Sequence, residues 1–382
     1  MKAIINGRIL LPDQEISGKA LLFDTQIRGL ADVETARREC DTVIDAQGAY
    51  VSPGLVDVHI HGYLGEDTSD GSEDGVRKMA RGLLANGVTS FLPTTMTVPF
   101  EEIDRALCVV RSLMPQSREA DFDGAEILGA HAEGPFINPS KKGAQAETAI
   151  LAPDADKLLP YADVVRVVSM APEMEGGIAC VRKLAPAMAV SVGHTGATYD
   201  IALKAFEAGA DHVTHTFNAM TALNHRDPGV VGAALTTDKA YCELIADTFH
   251  IHPGLFSLLA RAKGDHLVLI SDCTRAGGLS DGEYTLGGQP IFVKGIECRL
   301  ADGTIAGSVL RLNNAVKNLY EHTDLPVYAA VNCASLYAAR SIRRGDAKGS
   351  LEAGKDADIT LFDDTFTAQK TFVRGTLKYE RK

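Results

Sequence analysis

Between about residue 53 and about residue 345, short apolar runs alternate with amphipathic stretches, and this alternation constrains the fold more than any other feature. The apolar runs are GLVDVHIH, VTSFLPTTM, EILGAHAEG, VVRVVSMAPE, AVSVGHT, HVTHTFN, CELIADTFH and HLVLISDC. Their length and their share of β-branched residues suit strands buried in a parallel sheet. Stretches such as DGVRKMARGLLANG and TYDIALKAFEAG carry apolar residues at helical spacing and close on a Gly, which suits a helix C-terminus. Eight such β-then-α units in roughly 250 residues predict a (β/α)₈ TIM-type barrel. A doubly wound open sheet gives a similar local pattern. No GxGxxG follows the first run, which argues against its dinucleotide-binding form.

The two ends of the chain differ from this middle. KAIINGRILL, KALLFDTQIRGL and TVIDAQGAYVSPG at the start, and DADITLFD and TAQKTFVRGTLKYE at the end, alternate apolar and polar residues between turns. The expected organisation is a small β-sandwich domain from residues 1–52 plus 346–382, with the barrel of residues 53–345 inserted between its halves.

Charge narrows the function. The formal net charge is −12 over 382 residues, which disfavours nucleic acid as a partner, because a phosphate backbone needs clustered cations. A small anionic ligand needs only a few local ones. Seven cysteines without a CxxC pair suit free thiols in a reducing compartment. Nothing resembles a signal peptide or approaches the roughly 20 apolar residues of a membrane span. The expectation is a cytoplasmic protein with no membrane partner.

The ionisable residues fall at strand ends. His59 and His61 end the first strand and Glu133 the third; His194, His215 and Asp272 end the fifth, sixth and eighth. In a (β/α)₈ barrel those ends form the active-site face, so the side chains converge. Two histidines spaced by one residue point to the same side of a strand and can reach one ion. A lone strand-end His is more often a hydrogen-bonded core residue. Six ionisable groups buried together without an ion would each need a partner, at about 1–3 kcal/mol. A His and carboxylate set without a Cys ligand suits Zn²⁺, Fe²⁺ or a similar divalent ion. Asp272 reads as a further ligand, a general base or the N-cap of the next helix. Cys273 alternates to the other face and reads as packing.

The segments PGLVDVHIHG, HAEGPFINPSKKGA, VSVGHTGA, THTFNAM, RDPGVVGAAL, SDCTRAGGLSDGEYTLGG and DGTIAGSVLRL, in this order, resemble the N-acetylglucosamine-6-phosphate deacetylases of the amidohydrolase superfamily over essentially the whole chain. The resemblance implies that Glu133, His194 and His215 hold a principal metal and that His59 and His61 belong to a second site, giving one or two ions per subunit. It makes Asp272 the catalytic acid/base. No Lys is available on strand four as a bridging ligand, so Glu133 is left for that role. The implied substrate is an amino-sugar phosphate, contacted by Asn218 and Ala219, with Arg226 and His250 on the phosphate and a second subunit of a homodimer completing the site. Two departures stand out. Gln145, beside the reacting carbonyl, replaces a frequent His and cannot become cationic. Thr248 replaces a frequent Gly and is expected to crowd the pocket. The galacto epimer of the substrate and a non-catalytic sugar-phosphate sensor are the competing readings.

Overall fold

The computed structural model describes residues 1–382. Eight parallel strands form the central sheet: β1 (Leu55–Ile60), β2 (Val88–Thr95), β3 (Ala130–Glu133), β4 (Val165–Met170), β5 (Ala189–Val192), β6 (His212–Val213), β7 (Tyr241–Ile245) and β8 (Leu267–Ile270). Each pairs with its successor in chain order. Beyond the ladder, Asp272 N donates to His59 O at 2.9 Å and His61 N to Cys273 O at 2.9 Å, bringing the end of β8 against the end of β1. The result is the expected TIM-type barrel, and the eight apolar runs are its eight strands.

The helices follow from the amphipathic stretches. Glu73–Leu83 starts at Ser72, whose hydroxyl accepts from Gly75 N at 3.1 Å, and it buries Val76, Met79, Ala80 and Leu83. That i, i+3, i+4, i+7 spacing puts one stripe on the barrel. The turn after it ends on Gly87 at φ 75°, which a side chain would resist. No helix is long and apolar enough to cross a membrane.

Both termini contribute to a sandwich. A four-stranded sheet uses only N-terminal strands, while a six-stranded sheet joins Arg8–Leu10, Glu15–Ile16 and Tyr50–Pro53 to Ile359–Phe362, Ala368–Val373 and Thr376–Glu380. Ile4, Leu21 and Phe23 of the first sheet pack on Val51, Leu361 and Phe372 of the second. The Phe23 and Phe372 rings meet edge-on at 5.7 Å. Two elements go beyond the sequence reading: the helix Val33–Glu39, and a three-stranded antiparallel sheet of Gly282–Leu286, Gln289–Lys294 and Glu297–Leu300 after β8.

A buried ionic cluster joins the terminal segment to the barrel. Lys348 Nζ lies 2.6 Å from Glu126, 2.8 Å from Asp358 and 2.9 Å from Asp356, with its side chain 2% exposed. Burial alone would lower the Lys348 pKa, but Asp358, Glu126 and Asp356 raise it above the ordinary lysine value. Removing the cation leaves three buried carboxylates with only the partly exposed Arg118 and Arg374 nearby, so Lys348→Met is expected to cost about 3–5 kcal/mol in urea unfolding. A raised lysine pKa contributes fully below the unfolded-chain value of about 10.4 and fades only above it. The cost should therefore be nearly constant from about pH 6 to 9; a cost under about 1 kcal/mol there would contradict this role.

Candidate active site

At the C-terminal mouth of the barrel the strand ends deliver their side chains to one cavity of about 360 Å³. His61, Glu133, Gln145, His194, His215, Asn218, Ala219, His250 and Asp272 all line it. His59 lies just beneath, fully buried. Arg226 is different: it sits exposed in the loop after β6 and does not line the cavity.

Glu133 is the centre of the arrangement. Its Oε1 lies 3.2 Å from His194 Nε2, 3.2 Å from His215 Nε2 and 3.4 Å from His59 Nε2, and its Oε2 lies 3.2 Å from His61 Nε2. One carboxylate thus reaches both histidine pairs. Asp272 Oδ1 stands 3.3 Å from His61 Nε2 and 3.5 Å from His59 Nε2. Its side chain faces the imidazoles and caps no helix. Cys273 is fully buried outside the cavity, and burial pushes its thiol far above the ordinary value.

The local backbone explains how strand ends turn inward. His194, His215 and Asp272 adopt φ of 46°, 27° and 48°, a region that costs a non-glycine residue about 1–3 kcal/mol. Neighbouring main-chain bonds offset this, including Thr195 N to Ala219 O at 3.0 Å and Thr216 N to Glu243 O at 2.9 Å.

Opposed charges dominate the electrostatics. Burial pushes the Glu133 and Asp272 carboxyls up, yet the surrounding imidazoles hold both below the usual carboxylate range. Burial likewise disfavours the His61 cation, but Asp272 and Glu133 raise its pKa to about 9. The cluster therefore calls for positive charge at its centre.

The donor set fits a metal ion. His194 Nδ1 faces Lys141 O at 2.9 Å, so it holds the proton and leaves a lone pair on Nε2. That Nε2 lies 3.0 Å from His215 Nε2, two ring nitrogens aimed at a common point. His59 Nε2 is buried with no hydrogen-bond partner. The ligand atoms of Glu133, His194 and His215, and those of His59, His61 and Glu133, form two groups close enough to hold an ion each.

Gln145 lines the cavity and also contacts the central carboxylate. Its Oε1 accepts from Thr97 N at 2.6 Å, which turns Nε2 toward Glu133 Oε2, to which it donates. Thr248 corrects an expectation. It lines a neighbouring cavity of about 320 Å³ with Ile296, Val309 and Lys317, and its φ is 67°. A left-handed backbone, rather than pocket space, is what favours Gly there. Thr248→Gly is expected to leave KM within about twofold and shift stability by under about 1 kcal/mol. A KM change above tenfold would show that the side chain reaches the substrate.

Sequence reasoning missed several participants. Asp247 Oδ2 binds His250 Nδ1 at 2.6 Å, leaving Nε2 for a ligand. Ser140 and Lys141 line the cavity, as do Leu286, Thr304, Ile305 and Gly307 in or beside the three-stranded sheet. Glu243 and His131 lie fully buried under the imidazoles.

The geometry matches known proteins along the chain. The Amidohydrolase family profile matches residues 50–378. The chain is 37% identical over 384 aligned residues to an N-acetylgalactosamine-6-phosphate deacetylase of Escherichia coli O157:H7, covering 99% of each. It is 38% identical to an N-acetylglucosamine-6-phosphate deacetylase of Bacillus subtilis strain 168, over 86% of this chain and 85% of that one. The crystal structure of N-acetylglucosamine-6-phosphate deacetylase from Pasteurella multocida superposes with a TM-score of 0.93 at 31% identity, covering 98% of this chain and 99% of that one. With a profile match over most of its length and full-length relatives above 30% identity, this chain belongs to the amidohydrolase family.

Proposed function

We propose that this chain is a metal-dependent deacetylase that hydrolyses the acetamido group of N-acetylglucosamine 6-phosphate, giving acetate and glucosamine 6-phosphate. The observation that carries this reading is the meeting of Glu133, His194 and His215 with Asp272 in one cavity whose wall also holds His250. Glu133, His194 and His215 would hold a divalent ion, with or without a second on His59 and His61, which would supply a Lewis acid for the acetyl carbonyl and lower the pKa of water.

The chain's own residues do the rest. Asp272, held ionised by its imidazole neighbours, accepts the proton released as water attacks. It then returns that proton to the sugar nitrogen, so the C–N bond breaks with a neutral amine leaving. Glu133 and Gln145 keep the base of the cavity rigid through their mutual hydrogen bond. Asn218 and Ala219 contact the sugar, and Asn218 is itself steadied by a bond from Nδ2 to His215 O at 3.2 Å.

His250, backed by Asp247, takes the phosphate. Arg226 is too exposed to serve its own cavity, and we place it in the phosphate site of the second subunit of a homodimer. A charge-assisted hydrogen bond contributes about 1.5–3 kcal/mol, so Arg226→Ala should raise KM roughly 10- to 100-fold with little change in kcat. An unchanged KM would remove Arg226 from the site. Seven unpaired cysteines suit a reducing cytoplasm. We also propose the domain division at residues 1–52 plus 346–382 and 53–345.

The second reading is the galacto epimer, favoured by the full-length similarity to the Escherichia coli protein. Comparing kcat/KM on the two epimers decides between them: a preference above tenfold for the gluco substrate supports the first reading, and the reverse preference replaces it.

A further inference from the structure

Glu243 lies in β7, fully buried beneath the imidazoles. Its Oε2 accepts from His59 Nδ1 at 2.9 Å and from His215 N at 3.0 Å. The first bond keeps the His59 proton on Nδ1, so the unpartnered Nε2 presents its lone pair toward Glu133 Oε1 at 3.4 Å and Asp272 Oδ1 at 3.5 Å. His61 and His194 are oriented the same way, but by main-chain carbonyls: Thr94 O at 3.2 Å and Lys141 O at 2.9 Å. His59 alone has a carboxylate behind it. A carboxylate makes the far nitrogen of an imidazole more basic than a neutral carbonyl does and locks the ring more firmly.

His131 also lies close to Glu243 and His59, with one ligand atom of each within 4.8 Å of the others. Its two nitrogens are already engaged, Nδ1 facing Val58 O at 3.2 Å and Nε2 facing Ser169 Oγ at 2.7 Å. The group is therefore a hydrogen-bonded support under His59. A buried carboxylate aimed at one imidazole whose other nitrogen is orphaned makes sense when a cation sits beyond that imidazole.

We propose that Glu243 is a positioning residue that builds the second metal position, acting through His59. This rests on reading Glu133, His194 and His215 as the principal ligands. An isosteric Gln at 243 keeps an acceptor for His215 N but removes the charge behind His59.

The test is Zn²⁺ titration against a chromophoric chelator on the wild type, Glu243→Gln, His59→Gln and the double variant, with melting followed on each. The wild type should bind two ions per subunit. Glu243→Gln should weaken the weaker ion about 10- to 100-fold and leave the tighter within about threefold, at near-native melting. Adding Glu243→Gln to His59→Gln should weaken binding no further, which a merely structural role would not produce. Unchanged affinity in Glu243→Gln, equal weakening of both ions, or additive losses would overturn the proposal. A wild type that binds one ion would overturn it too and leave the deacetylase reading standing; a wild type that binds none would sink both.

Discussion

Asp272→Asn is expected to lower kcat by roughly 10²–10⁴-fold while leaving the bound metal in place. The two side chains have the same shape, and Asn still offers an oxygen toward His59 and His61, which stand 3.5 and 3.3 Å from the native carboxylate. What Asn lacks is the ability to take a proton from water and return it to the departing nitrogen. Amide hydrolysis depends on that transfer, because an amine anion is too poor a leaving group near neutral pH. The outcome is read by pairing kcat with metal content per subunit. Near-native turnover would remove Asp272 from proton transfer. Loss of metal along with turnover would make it a ligand instead.

Glu133→Gln should act earlier, on the ion itself. This carboxylate is the one group within 3.4 Å of all four imidazoles, and it is 2% exposed. A neutral Gln leaves the cluster short of the anionic charge that a divalent ion needs. We expect the principal ion to be lost under mild chelation and kcat to fall roughly 10³-fold, the scale of several kcal/mol of lost Lewis-acid stabilisation. The variant should fold, since Gln can still accept from neighbouring groups. A metal-replete variant with a tenth of native kcat would contradict the central place given to Glu133.

These two residues were legible in the sequence for a simple reason. Barrel strands end at their active face, so polar residues after an apolar run mark the mouth. His59 and His61, two apart, had to share a side. Glu243 and His131 carry the same kind of signal one step further back: each lies two residues before the end of its strand, on the face of Ile245 and Glu133 respectively. Reading only strand ends passed over them. The three-stranded sheet also left a signal that was passed over, in YTLGGQPIFVK, where Gly287 and Gly288 at positive φ form a two-residue hairpin turn between alternating strands.

Other features had no sequence signal. The left-handed backbone at His194, His215 and Asp272 depends on contacts made only after the barrel closes. Thr248 looked like a pocket residue because it stands where the resembled family favours Gly, and only the folded chain shows it lining another cavity with its backbone left-handed. Whether Gln145 faces Glu133 or open space is decided by Thr97 N, a main-chain group 48 residues away.

The most direct test is acetate release from N-acetylglucosamine 6-phosphate by the purified protein, with bound metals quantified on the same sample. The account predicts release that a chelator abolishes and a divalent ion restores, with at least about one ion per subunit in the active form. A folded, metal-loaded sample that releases no acetate from this sugar or from its galacto epimer would contradict it.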